Sequence, residues 1–127
     1  MTDWPGLLAA GAGGFLGAAA RFLVGGAAQR AAGGSFPVGT LLVNVVGCAA
    51  IGVVMGLAEG RGGLSEGTRA FLVVGVLGGF TTYSAFGFDT VRLWQAGAAG
   101  MALFNVALQI VLGIGAAAVG FALTRGS

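Results

Sequence analysis

The chain has 127 residues, 57% hydrophobic and only 8% charged, whereas a soluble domain carries about 25% charged residues. Too few charges remain to solvate a surface, so lipid must cover most of it. The net charge of +2 comes from scattered arginines, which argues against a nucleic-acid patch. The single Cys48 and the absence of histidine argue against a disulfide, zinc or haem site.

Four apolar segments follow one another, each with the ~20 residues a helix needs to span hydrocarbon. They run over about 6–28, 37–58, 68–94 and 98–124, and define one all-α membrane domain covering 1–127. Before the first, Met1-Thr2-Asp3-Trp4-Pro5 has no basic stretch, so no cleaved signal peptide is expected. Asp3 and Pro5 suit a helix start. Trp4 and Trp94 sit near segment ends, where indoles favour the lipid interface. The 27 glycines follow no collagen period and suit close helix packing; Gly52-x-x-x-Gly56 and Gly75-x-x-x-Gly79 fit that use.

Intramembrane polar residues are costly and therefore informative. In the first segment, Arg21 either snorkels to the interface or makes an electropositive vestibule. In the second, Asn44 offers two donors and an acceptor, with Thr40 one turn earlier on the same face. Taken alone, Asn44 is most simply helix–helix glue. Cys48 suits a small buried apolar position.

The third segment holds Gly78-Gly79-Phe80-Thr81-Thr82-Tyr83-Ser84-Ala85-Phe86. Paired glycines followed by hydroxyl residues let the backbone leave the helix. In lipid, each freed N–H or C=O costs several kcal/mol unless buried in protein or facing a watery cavity. A broken helix at that depth points to an ion or substrate site. Tyr83 and Phe86, three apart, can share a face, and ring edges carry partial positive charge. In the fourth segment, Asn105 and Gln109 make a short polar stripe, suited also to interhelical bonding.

The spans are rich in donors and poor in acids, Asp89, near the end of the third, being the one carboxylate within them. This favours passive passage of a small anion over proton-driven export, and no nucleophile–base set suggests an enzyme. Arginines balance across the two sides, with Arg21, Arg30 and Arg92 on one and Arg61, Arg69 and Arg125 on the other. The positive-inside rule then selects neither orientation, and oppositely inserted copies can form an antiparallel dimer.

These residues resemble the small dual-topology fluoride channels, the CrcB or Fluc family, over nearly the whole chain. Gly39-Thr40-Leu41-Leu42-Val43-Asn44 is similar to its second-helix signature, and the 78–86 run to its broken third helix. Gly17 to Arg21 matches the first-helix arginine pattern, and Asn105 fits the polar fourth helix. The resemblance implies an antiparallel homodimer in the plasma (inner) membrane, exporting fluoride passively through two pores. It also implies a structural sodium ion at the dimer interface, held by the main-chain carbonyls of Gly78 and Thr81. It would place Asn44, Thr82, Tyr83, Ser84, Phe86, Asn105 and Gln109 along the fluoride path and Arg21 at the vestibule. Two positions depart from the family pattern: Tyr83 stands where Phe is usual, and Gln109 where a smaller polar residue is common. A small multidrug-type transporter is the alternative, but the first segment lacks the glutamate such proteins use. A non-catalytic packing subunit would not explain the ordered set Asn44, Thr81, Thr82 and Ser84.

Overall fold

Asp3 starts the first helix as the sequence suggests: its carboxylate accepts the Gly6 N–H at 3.0 Å, with Pro5 in the first turn. The computed structural model describes residues 3–127; Met1 and Thr2, part of the stretch read for a signal peptide, lie outside them. Helix α1 spans Trp4–Ala32. It ends where Gly33 turns to φ 67°, a left-handed conformation that glycine adopts without strain.

Helix α2, Val38–Glu59, has no side-chain cap of its own. Gln29 of α1 supplies one: its Oε1 accepts the Gly39 N–H at 3.0 Å, and its Nε2 donates to the Phe36 carbonyl at 3.0 Å. One side chain thereby satisfies an orphan donor of the first turn and closes the link between the helices.

Ser65 caps the next helix through the Thr68 N–H at 3.2 Å. This helix, α3, covers 66–80. It starts as an α-turn at Glu66–Thr68, widens to a π-helix over Arg69–Leu77 and returns to α at Gly78–Phe80. Thr81 and Thr82 are extended, with φ/ψ of −91°/160° and −150°/118°. Helix α4, Tyr83–Gln95, begins next, and α5 covers Ala99–Thr124. Counting α3 and α4 as one 66–95 stretch, four helical segments are long and apolar enough to cross a membrane. At about 1.5 Å per residue, the 22 to 29 residues of α2 and α1 amount to roughly 33 to 43 Å, against about 30 Å of hydrocarbon.

Helix α1 packs along α3 and α2 along α5; α1 also touches α2, and α4 lies on α5. Glycine makes both long seams. A Cβ on Gly75 would come 2.7 Å from the Ala10 carbonyl oxygen, and one on Gly120 would come 2.7 Å from the Ala49 oxygen. In lipid no hydrophobic force draws helices together, so such close backbone approach supplies the packing energy. The apolar core is correspondingly thin, Val43, Ala58, Leu93 and Ala102 being its buried hydrophobic members among the described residues. Large side chains such as Phe22 and Leu123 face outward, where lipid can cover them.

Candidate functional site

The extended pair Thr81–Thr82 is held from outside its own helix. The Thr82 N–H donates to Asn44 Oδ1 at 2.8 Å, and Asn44 Nδ2 donates back to the Thr82 carbonyl at 3.0 Å. An uninterrupted helix would send the Thr82 N–H to the Gly78 carbonyl, four residues earlier. Asn44 intercepts it. The Ala85 N–H, which would serve the Thr81 carbonyl, instead donates to the Thr82 hydroxyl at 3.1 Å. Gly78 and Thr81 therefore both lose their regular helical donors. The neighbouring Gly79 carbonyl accepts from Arg21 Nε at 2.9 Å, which brings a cation to the negative C-terminal end of α3.

Close approach again depends on glycine. A Cβ on Gly47, one turn after Asn44, would collide with the Thr81 side-chain methyl. Thr81 itself bonds back, its hydroxyl donating to the Leu77 carbonyl at 3.0 Å. Helix α2 is thus both the bonding partner and the floor of the extended pair.

Asn44 Nδ2 also donates to Gln109 Oε1 of α5 at 3.0 Å. Both its hydrogens are then engaged within the chain, whereas Gln109 Nε2 is buried without a partner among the described residues. The two amides share a cavity of about 430 Å³ with Gly78, Thr81, Thr82, Tyr83 and Phe86; Cys48 and several aliphatic side chains complete its wall. The Tyr83 and Phe86 rings meet edge to face, with centroids 5.6 Å apart at 77°. Tyr83 is 84% exposed on the isolated chain.

Ser84 and Asn105 do not line this cavity. Ser84 Oγ lies 3.4 Å from Thr82 Oγ1 beside it. Asn105 is fully buried, and its Nδ2 donates to Thr90 Oγ1 at 3.1 Å; Thr90 in turn donates to the Phe86 carbonyl at 2.8 Å. Asn105 is thereby linked through Thr90 to the α4 backbone at Phe86.

A second, more polar cavity of about 640 Å³ reaches the side of the 33–37 and 96–98 links. Arg21, Arg30 and Arg92 line it against one carboxylate, Asp89. Asp89 pairs with Arg92 at 3.1 Å and accepts from the Thr40 hydroxyl at 3.0 Å. The excess of guanidinium makes this mouth electropositive, and Thr82 lines both cavities. Gln29 also lines it; the sequence holds no signal for the role of Gln29, because its partners are main-chain atoms across a loop.

Residues 8–121 match the family model described as "CrcB-like protein, Camphor Resistance (CrcB)". A protein of Agrobacterium fabrum named "Fluoride-specific ion channel FluC" is 46% identical over 113 residues, covering 89% of this chain and 90% of its own. One of the same name from Paracoccus denitrificans is 46% identical over 114 residues, 90% of each chain. A third, from Nitrobacter winogradskyi, is 42% identical over 122 residues, 96% of this chain and 97% of its own.

Proposed function

We propose that this chain, which belongs to the CrcB family, is a fluoride-selective channel of the plasma membrane that lets fluoride leave the cell passively. The observation that carries the mechanism is the largely apolar cavity at Thr81–Thr82, with a few polar groups and the Tyr83 and Phe86 rings on its wall, placed beside an arginine-rich mouth. Fluoride is small and strongly hydrated, so it enters such a path only where donors replace its water. Amide N–H, hydroxyl and ring-edge groups do so without a carboxylate to repel it. Larger chloride fits a narrow donor set poorly, and several moderate sites in succession allow release. A membrane potential negative inside drives the anion outward at about 2.3 kcal/mol per charge per 100 mV.

In this reading 66–80 and Tyr83–Gln95 form one interrupted crossing. Tyr83, Phe86, Thr82, Gln109 and Asn44 line the path, Arg21 stands at its mouth, and Ser84 and Asn105 support it from behind. The chain works as an antiparallel homodimer, with the interruptions of two copies meeting at the axis. Gly78 and Thr81 fit a sodium ion there, because both carbonyls are released from helical bonding and a hard cation prefers oxygen ligands. The ion would act as a structural clamp between the two interruptions.

Purified protein in liposomes tests the reading. Fluoride efflux with negligible chloride efflux is expected. Absence of fluoride release, or release that requires a proton gradient, would refute it.

A further inference from the structure

The cavity at the arginine-rich mouth, about 640 Å³, far exceeds what a monatomic anion fills. Its flank is open as well. Helices α1 and α4 both line it, yet among the described residues no Cα of α1 comes within 8 Å of one of α4. The two helices bound a groove rather than a closed chamber.

One row of α1 runs along this groove. Phe22, Gly26 and Arg30 are spaced by four, so they share a face of the helix, and all three line the cavity. Gly26 leaves a gap in the row, and Arg30 lies back into it: a Cβ at position 26 would come 3.2 Å from Arg30 Nη1. The guanidinium thus sits one turn closer to the hydrocarbon, whereas a snorkelling arginine reaches out to water. No carboxylate holds it there, since the one ion pair among the described residues joins Asp89 to Arg92. At about 1.5 Å per residue, Phe22 lies roughly 12 Å deeper than Arg30 along α1, and its ring is exposed. Arg92 lines the groove from α4, and the exposed indole of Trp94 nearby marks the interface level.

The groove therefore offers two guanidiniums at headgroup depth, a stretch free of side chain, and an aromatic ring at acyl depth. Guanidinium binds phosphate through paired N–H groups, and basic pockets between membrane helices suit anionic headgroups. A free phosphate would gain nothing from Phe22 or from the open flank. We propose that the groove between α1 and α4 holds one anionic phospholipid, its phosphate on Arg30 and Arg92 and one acyl chain running over Gly26 and Phe22. The lipid bridges two helices that do not otherwise touch. Such binding is independent of which ion the chain conducts.

The thermal midpoint of the full chain in neutral detergent, with and without phosphatidylglycerol, tests the site. A ligand that binds the folded state stabilises it by mass action, so the wild-type midpoint should rise by about 3 °C or more. Phosphatidylethanolamine, which has no net charge, should give a smaller shift, and inorganic phosphate none. Arg30→Gln removes the headgroup contact, and Gly26→Leu fills the gap in the row; each should lose most of the shift. Both variants keep the fold, because Arg30 is exposed and the nearest neighbour of a Cβ at 26 is the movable end of Arg30. Arg125→Gln, in the exposed C-terminal residues, removes the same charge and should keep the wild-type shift. A wild-type midpoint that phosphatidylglycerol leaves unchanged overturns the proposal, as does a shift retained in Arg30→Gln or in Gly26→Leu. An equal shift from inorganic phosphate would make the groove a free-oxyanion site, and an equal one from phosphatidylethanolamine would remove the charge preference; either overturns it. Equal loss in Arg125→Gln would reduce the effect to net charge and overturn it too.

Discussion

At the scale of single residues, Asn44 is hydrogen-bonded both to Gln109 and to the main chain of Thr82. Asn44 holds two main-chain groups of Thr82, so replacing it exposes unmet backbone in an apolar surround. Each orphaned group costs roughly 1–3 kcal/mol. Asn44→Leu is therefore expected to lower the thermal midpoint and fluoride efflux together, as measured by unfolding in detergent beside liposome flux. Lost efflux at an unchanged midpoint would instead make Asn44 a direct anion contact. The sequence marks both amides as polar residues in apolar segments. It does not join Asn44 to a backbone amide 38 positions away, because main-chain partners leave no trace in side-chain identity. Nor does it reveal that Asn105 is sequestered under Thr90; on a helical wheel it shares a stripe with Gln109.

At the scale of elements, the helices are legible and their contacts only half so. Apolar runs of sufficient length suggest four crossings, and four stretches of that kind are present. Both Gly-x-x-x-Gly motifs lie in seams inside the chain. Gly75 and Gly79 face α1, and Gly52 and Gly56 face α5. The motif announces close contact but not the partner, since any small-residue face would serve. The π-helical winding of Arg69–Leu77 has no counterpart in the sequence at all. The α1–α3 seam also fixes the site, because Arg21 on α1 reaches Gly79 on α3. A Cβ on Gly75 would lie 2.8 Å from the Gly13 Cα, whereas one on Gly11 meets nothing within 4 Å. Gly75→Val is expected to part these helices, withdraw Arg21 and abolish efflux, with a lower yield of folded protein. Gly11→Ala should leave the purified yield and the thermal midpoint near those of wild type. Equal yield, midpoint and efflux for Gly75→Val and wild type would show the seam to be dispensable.

At the scale of the molecule, one chain leaves much of its apolar surface uncovered, including Phe22 at 80% and Tyr83 at 84% exposure. Lipid suffices for Phe22. It is a poor partner for Tyr83, whose hydroxyl needs a hydrogen-bond acceptor or water and whose ring edges the cavity. A second copy would cover Tyr83; in an antiparallel pair the two-fold axis lies in the membrane plane and brings the two Tyr83 surfaces together where they lie near that axis. The charges permit such insertion. Arg21, Arg30 and Arg92 gather at one mouth with the 33–37 and 96–98 links. Arg61, Arg69 and Arg125 belong to the other end, where Gly60 approaches Ser127. Orientation depends on the arginine difference between sides, and here the two sides balance. A C-terminal cysteine, added for labelling by an impermeant reagent, should thus react from both faces of intact cells in comparable amounts. Adding two arginines to the 96–98 link should shift most of that labelling to one face and, by depriving each copy of an opposite partner, lower fluoride efflux. Labelling of the unaltered protein from one face only would exclude the antiparallel dimer and leave a parallel assembly to explain how Tyr83 is covered.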